Sequence, residues 1–240
     1  MMKAMLLAAG LGTRLKPFTD NHPKALAVVN GKTLLQRNIE YLQSYDINEV
    51  IVNVHHFAAQ IIDMIHQHQG WGSNISISDE QGEILETGGG LLKAAHFFTA
   101  TNEPFLLMNT DILTDLNLEE MLSFHKSTNT LATLAIRKRE TSRYLLFDAT
   151  NRLVGWKNVK TNEIKQVLDC ANPLLFAFSG IQIINPAFFE KVTLRGKFSM
   201  IDAYLQLAPH NTISGFDHSH SIMIDVGKPE SIKQAEAMFL

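Results

Sequence analysis

Cysteine is almost missing from this chain: Cys170 is the single one among 240 residues. No intramolecular disulfide can form, which fits a reducing compartment. A strong charge of either sign is missing as well. The 21 Lys and Arg nearly balance the 24 Asp and Glu, and a net charge of -3 gives no general pull toward nucleic acid or an acidic membrane surface. Any anion binding must therefore be local. No run approaches the ~18 apolar residues of a membrane span. The first apolar stretch, Ala4 to Ala9, is too short for the h-region of a signal peptide and leads into Gly, Arg and Lys. These absences predict a soluble cytoplasmic protein with neither nucleic-acid nor membrane partners. What remains is 45% hydrophobic and 19% charged, an ordinary balance for a globular chain with a core.

The first half alternates between two periods. "AMLLAA" is a continuous apolar run, as in a strand buried on both faces. "TLLQRNIEYLQSY" has helical spacing, and Thr33 with Gln36 fits a capping box. Strands are expected at Glu49 to Val54, from Asn74, from Pro104 and at "TLATLAIRK", with helices at "FAAQIIDMIHQH", "GGLLKAAHFF" and Leu118 to Lys126 between them. This alternation argues for an α/β fold, a three-layer α/β/α arrangement around a mostly parallel, mixed central sheet. After Lys138 the rhythm turns β-rich: two short strands in "RYLLFDATNRLVGWKNV", then "LLFAFSGIQII", "TISGF" and "SIMI", with helices at "MIDAYLQLA" and from Pro229. No linker or repeat interrupts the chain. It reads as one domain, residues 1–240, with a strand–helix half over 1–138 and a β-rich half over 139–240.

The stretch from Met5 to Leu26, "MLLAAGLGTRLKPFTDNHPKAL", carries the chemistry. A strand running into a glycine loop suggests phosphate binding, and three such loops must be told apart. The dinucleotide fingerprint fails because Leu15 stands where its third glycine belongs. "NGKT", Asn30 to Thr33, imitates the end of a P-loop, but Leu26 replaces the first glycine, so it reads as a turn with a helix cap. The remaining option is a loop that wraps a nucleoside triphosphate. Ala8, Ala9 and Gly10 leave room for a flat base against the backbone. Gly12 and Thr13 present backbone N–H groups to phosphates, and Arg14 and Lys24 add charge. Pro17 and Pro23 stiffen the loop.

This stretch resembles the signature of the sugar-phosphate nucleotidyltransferases. "LETGGGLLKA", "PFLLMNTDILTD", "FSGIQIINP" and "IDVGKPE" extend the likeness over nearly the whole chain, most weakly between Lys138 and Leu174. The resemblance implies transfer of a nucleotidyl group from a nucleoside triphosphate to a sugar 1-phosphate, with release of pyrophosphate. It favours UTP and N-acetylmuramate 1-phosphate, with GTP and mannose 1-phosphate or another hexose 1-phosphate as the runner-up. It also implies a monomer or small homo-oligomer without the β-helix extension that builds trimers in some members.

In that reaction the nucleophile is a phosphate oxygen, already anionic, so no general base is needed. The difficulty is electrostatic and calls for cations and Mg²⁺, which takes carboxylate ligands beside substrate phosphates. Asp111 follows a buried strand at the carboxyl end, where α/β sheets place ligands, and Asp225 follows a short apolar one. The family carries metal-binding aspartates at both matching places. Arg14 is assigned to the β- and γ-phosphates and Lys24 to the α-phosphate. By resemblance, Glu80 and Thr87-Gly88-Gly89 face the base, and Gly180 and Asn109 the sugar. A Glu-Lys-Pro tripeptide that many members use for the sugar phosphate is absent, leaving Lys157 and Lys165 as candidates. Arg143, Lys157 and Lys165 are the candidate cations for a lactyl carboxylate, and a small Ser179-Gly180 pair leaves room for that group. His55-His56 and His218-x-His220 lack a third ligand at useful spacing for zinc. Arg137 to Arg139 reads as an exposed strand end. A non-catalytic nucleotide-sugar-binding regulator would have lost Arg14, Lys24, Asp111 or Asp225, and all four are present.

Overall fold

The structure, a computed structural model, describes residues 2–239. In chain order the strands and helices are β1 (Ala4–Leu7), β2 (Val28–Val29), β3 (Lys32–Thr33), α1 (Leu34–Gln43), β4 (Glu49–Val54), α2 (Ala58–Gln67), β5 (Asn74–Asp79), α3 (Glu86–Lys93), α4 (Ala95–Phe98), β6 (Phe105–Asn109) and β7 (Ile112–Thr114). They continue with α5 (Leu118–Thr128), β8 (Ala132–Arg137), β9 (Arg143–Phe147), β10 (Leu153–Asn158), β11 (Glu163–Gln166), β12 (Leu174–Ile184), α6 (Phe188–Lys191), α7 (Met200–Leu207), β13 (Ile213–Asp217), β14 (Met223–Asp225) and α8 (Pro229–Met238).

A ten-stranded mixed sheet runs β11-β10-β9-β12-β6-β1-β4-β5, with β8 beside β12 and β13 beside β8. β1 lies parallel to both β4 and β6, and β4 parallel to β5. The apolar runs are continuous because both faces are covered. Along β1, Met5 packs into a core with Leu91, Phe98 and Tyr204 from α3, α4 and α7. Its neighbours Ala4 and Leu6 pack on the other face with Leu35, Ile39, Ile61 and Met121 from α1, α2 and α5. Period-two alternation on a strand buried on both sides yields the three layers.

β12 joins the two halves. Its residues Ile181 to Ile184 pair antiparallel with β6, while Leu174 to Phe176 pair antiparallel with β9. It also pairs antiparallel with β8, where the register breaks between Phe178 and Gln182. The break faces the carboxyl end of β6, where Asn109 emerges.

Several local expectations need correction. The helix expected over "GGLLKAAHFF" is two, α3 and α4, meeting at Ala94. The capping box at α1 is half formed. Thr33 accepts from the Gln36 N–H at 3.1 Å, but the Gln36 side chain turns to Glu40 at 2.9 Å. Asn30 and Gly31, both at positive φ, form the two-residue turn between β2 and β3, so "NGKT" is a turn with a helix cap. Asp225 is the last residue of β14 rather than a residue after it.

Candidate active site

The loop after β1 is tied down from two sides. Asn53, in the buried strand β4, accepts from the Ala8 N–H at 2.7 Å and the Ala9 N–H at 3.3 Å through Oδ1. Its Nδ2 donates to Glu80 Oε1 at 2.8 Å, so the carboxylate sets which way the amide points. Further on, Gly12 adopts φ +63°, and a Cβ there would stand 2.8 Å from Thr19 Cγ2 and 3.1 Å from Lys24 Cβ. Thr19 Oγ1 donates to the Gly12 carbonyl at 2.9 Å. Gly12 thus lets the loop close onto its own later turns and aims Arg14 and Lys24 across the end of the sheet.

Asp111 and Asp225, far apart in the chain, meet because β14 pairs antiparallel with β7, Asp225 facing Ile112, and the Val226 N–H donates to the Asp111 carbonyl at 2.8 Å. Lys24 Nζ sits between them, on Asp111 Oδ2 and 3.7 Å from Asp225 Oδ1. Arg14 Nη2 stands 3.4 Å from Asp225 Oδ2. Gly227 permits this crowding, since a Cβ would stand 2.5 Å from Asp225 Oδ1 and 2.7 Å from Arg14 Nη2. Asp225 Oδ1 is buried without a hydrogen-bond partner among the described residues. An orphaned carboxylate oxygen beside a second carboxylate suits a hard divalent cation that takes its other ligands from phosphates.

Two hollows open beside this cluster and share Leu7, Gly10 and Thr87. One, about 200 Å³, is lined by Ala8, Lys24, Asn109 and Asp111. The other, about 260 Å³, is lined by Ala9, Asn53, Glu80 and Ile84. Thr13 is exposed beyond them. The structure therefore gathers Ala8, Ala9, Gly10, Lys24, Thr87, Asn109 and Asp111 around two adjoining hollows, with Asp225 against Lys24 and Arg14 against Asp225.

Other expected residues are placed differently. Glu80 lines the second hollow but is not a free loop acid. It is 1% exposed, with Oε1 held by Asn53 and Oε2 3.4 Å from the Leu85 N–H. Gly88 lines neither hollow. A Cβ there would overlap the Phe198 ring, and its N–H donates to the Phe198 carbonyl at 2.9 Å. Its role is close packing of α3, not approach to a base. Gly89 is held likewise, since a Cβ there would collide with the Gly196 carbonyl. Lys157 lies on β10, with β9 between it and β12, and lines neither hollow. Lys165 is drawn to Glu163 and Asp202, each at 3.8 Å.

Gly180 has φ +75°, and a Cβ there would stand 2.6 Å from Asn109 Nδ2. The register break in β12 therefore brings Gly180 and Asn109 together. Ser179 does not open space for a sugar. It is 1% exposed and hydrogen-bonded to His218 Nε2 at 2.7 Å. Burial, chiefly, lowers the pKa of the His218 imidazole to about 4, with Arg137 adding to the shift.

Asn53 and His218 hold site residues in place without a motif that signals it, and Asn53 leaves only a trace, a polar residue inside "EVIVNV". Thr19 stands inside the Met5 to Leu26 stretch, where sequence reasoning gave it no role.

Known proteins match the chain over nearly its whole length. A 29% identical relative over 238 residues is the N-acetylmuramate alpha-1-phosphate uridylyltransferase of Neisseria meningitidis serogroup B, and the match covers 99% of this chain and 98% of that protein. The mannose-1-phosphate guanylyltransferase catalytic subunit beta of Xenopus tropicalis is 28% identical over 247 residues. There the match covers all of this chain but 65% of the relative. A UDP-glucose pyrophosphorylase from Acinetobacter baumannii shares the fold, with a TM-score of 0.79 at 16% identity, over 100% of this chain and 93% of that one. The family model described as nucleotidyl transferase matches residues 3–147, which hold the β1 loop, Lys24 and Asp111, and the chain belongs to that family.

Proposed function

We propose that this protein transfers a nucleotidyl group from a nucleoside triphosphate to a sugar 1-phosphate and releases pyrophosphate. The observation that carries this reading is the meeting of Arg14, Lys24, Asp111 and Asp225 beside the hollow that Lys24 and Asp111 line. Two acids and two bases in mutual contact supply no nucleophile. They suit a reaction whose reactants are themselves anionic, because charge can be handed from carboxylate to phosphate without a large change in local field.

Asp111 and Asp225 would hold Mg²⁺, which when bound neutralises phosphate charge and stabilises the leaving pyrophosphate. Lys24, released from Asp111, meets the charge that grows on the α-phosphate. Arg14 steadies the β- and γ-phosphates. The N–H groups of Gly10 to Thr13 remain to bind the triphosphate, while those of Ala8 and Ala9 are kept in place by Asn53. Residues 1–138 serve the nucleotide and residues 139–240 the acceptor and Asp225. A cytoplasmic setting suits both substrates.

For the substrates, we favour UTP and N-acetylmuramate 1-phosphate. The Neisseria relative is 29% identical to this chain and the Xenopus guanylyltransferase 28%, and "LETGGGLLKA" with "FSGIQIINP" carries the likeness toward the former. The test is pyrophosphate release with UTP, GTP and dTTP crossed against N-acetylmuramate, mannose and glucose 1-phosphates in the presence of Mg²⁺. A highest kcat/KM for UTP with N-acetylmuramate 1-phosphate is expected. Preference for GTP with mannose 1-phosphate would replace the substrates and keep the reaction. Silence with every pair would refute the reaction.

A further inference from the structure

We propose that Asn38 is the positioning residue that aims Asp111 at the metal, acting through the peptide unit between Thr110 and Asp111; the inference rests on the nucleotidyl-transfer reading, in which Asp111 and Asp225 hold Mg²⁺. Asp111 is not on a strand. Thr110 and Asp111 make the turn between Asn109, the last residue of β6, and Ile112, the first of β7. A turn has no strand ladder of its own, so its direction is set by the hydrogen bonds its peptide groups find elsewhere.

Those bonds come from three sides. The Thr110 N–H donates to the Leu7 carbonyl at 3.2 Å, and the Thr110 hydroxyl to the same carbonyl at 2.6 Å. The Asp111 carbonyl accepts from the Val226 N–H at 2.8 Å. Between them, the Thr110 carbonyl accepts from Asn38 Nδ2 at 2.8 Å, and no other hydrogen bond to that carbonyl forms among the described residues. Each peptide unit is planar, so Asn38 fixes the plane before the Asp111 Cα and Val226 the plane after it. With both planes held, the Asp111 side chain leaves the backbone in one direction, toward Lys24 and Asp225. Of these anchors, Asn38 alone reaches the turn with a side chain from a distant helix.

Asn38 is costly where it stands. It shares the buried stripe of α1 with Leu34, Leu35, Ile39 and Leu42. It is 1% exposed, and its Oδ1 has no partner among the described residues. An unsatisfied buried oxygen lowers stability, and an apolar side chain of the same size would avoid that loss. What the amide delivers is Nδ2. One bond goes back to the Leu34 carbonyl at 2.8 Å, on its own helix, and the other crosses to Thr110. Both Nδ2 hydrogens are thereby used, and the amide has a single orientation. Partners behind a metal ligand hold it in the geometry the ion needs, so the ion does not have to order the ligand on binding.

Asn38→Leu keeps the shape and removes the donor. In the pyrophosphate-release assay its half-saturating Mg²⁺ should rise about 10- to 100-fold, the scale of losing a partner behind a metal ligand. Its kcat at saturating Mg²⁺ should stay within about threefold, because the carboxylate itself is still present. Mn²⁺ binding to the UTP-bound protein, read by electron paramagnetic resonance, should weaken by the same factor as the Mg²⁺ requirement. The midpoint of thermal unfolding should move by no more than about 5 °C, since the orphaned oxygen goes with the lost bond. Asn38→Ser retains a hydroxyl that can donate to the Leu34 carbonyl but is too short for Thr110. It carries the same expectation and stands in if the leucine variant fails to fold. Folded variants with wild-type Mg²⁺ requirement and Mn²⁺ affinity would overturn the inference, as would a loss of kcat that added Mg²⁺ does not recover. A wild type that binds Mn²⁺ beside UTP yet is silent with every sugar 1-phosphate would refute the nucleotidyl-transfer reading alone. The variants' Mn²⁺ affinities then decide the inference, weakened for it and unchanged against it. A wild type that binds no Mn²⁺ beside UTP would overturn both.

Discussion

Mild acid should destabilise this protein through two particular histidines. His125 is 3% exposed with Nδ1 against Thr133 Oγ1 at 2.9 Å, and His218 is 0% exposed with Nε2 against Ser179 Oγ at 2.7 Å. Burial is the main cause that lowers each pKa from 6.5 to about 4. The folded state therefore keeps both rings neutral at a pH where the unfolded chain protonates them. Their stabilising contribution is complete above pH 6.5 and is lost as pH falls toward 4. At pH 5 the unfolded form of each is largely charged and the folded form largely neutral, which costs about 2 kcal/mol per histidine. Two of them cost about 4 kcal/mol, a large part of a typical stability of about 5–15 kcal/mol. Urea unfolding of the wild type, His125→Gln, His218→Gln and the double variant at pH 8 and pH 5 measures this directly. Native carboxylates also respond over this range, so the informative quantity is the change in stability between the two pH values, variant against wild type. Each single variant should lose about 2 kcal/mol less than wild type between pH 8 and 5, and the double about 4. A double variant as acid-sensitive as the wild type would refute the argument.

Four further outcomes are expected. Asp111→Asn and Asp225→Asn should each lower kcat by ~10²-fold or more with circular dichroism unchanged. Wild-type turnover in Asp225→Asn would remove that residue from the site. Lys24→Ala should depress kcat more than it weakens UTP binding by calorimetry, since the charge it serves grows in the transition state. Gly88→Ala should lower the midpoint of thermal unfolding through its clash with Phe198, at a cost of about 1–3 kcal/mol for overpacking, while UTP affinity in the folded fraction stays close to wild type. Asn53→Leu should leave the buried Ala8 N–H without a partner and weaken UTP binding by about 1–3 kcal/mol in calorimetry, with acceptor KM little changed.

The amino-acid sequence by itself determined the order of strands and helices, the glycine loop and the four charged residues. These are local properties. A strand buried on both faces must be apolar throughout, a helix must repeat its apolar positions at about 3.6, and a loop that surrounds phosphates must have small residues followed by cations at fixed spacing. The nearest-neighbour turns were legible for the same reason: Asn30-Gly31 has the conformation that a two-residue hairpin needs. Only the tertiary structure decided what stands opposite what. Asp225 reaches Asp111 because β14 pairs with β7, and nothing in "SIMID" states that register. Glu80 reads as a loop acid until Asn53 and the chain around Leu85 bury it. Gly88 looks available to a ligand until Phe198 is laid across it, and Ser179 looks like spare room until His218 fills the space beside it. Arg139 reads as the frayed end of a strand until the kink in β12 gives it a carbonyl to rest on. Most of these contacts join segments far apart in the chain, and the burial of a side chain is set by its neighbours in space, which local sequence does not encode.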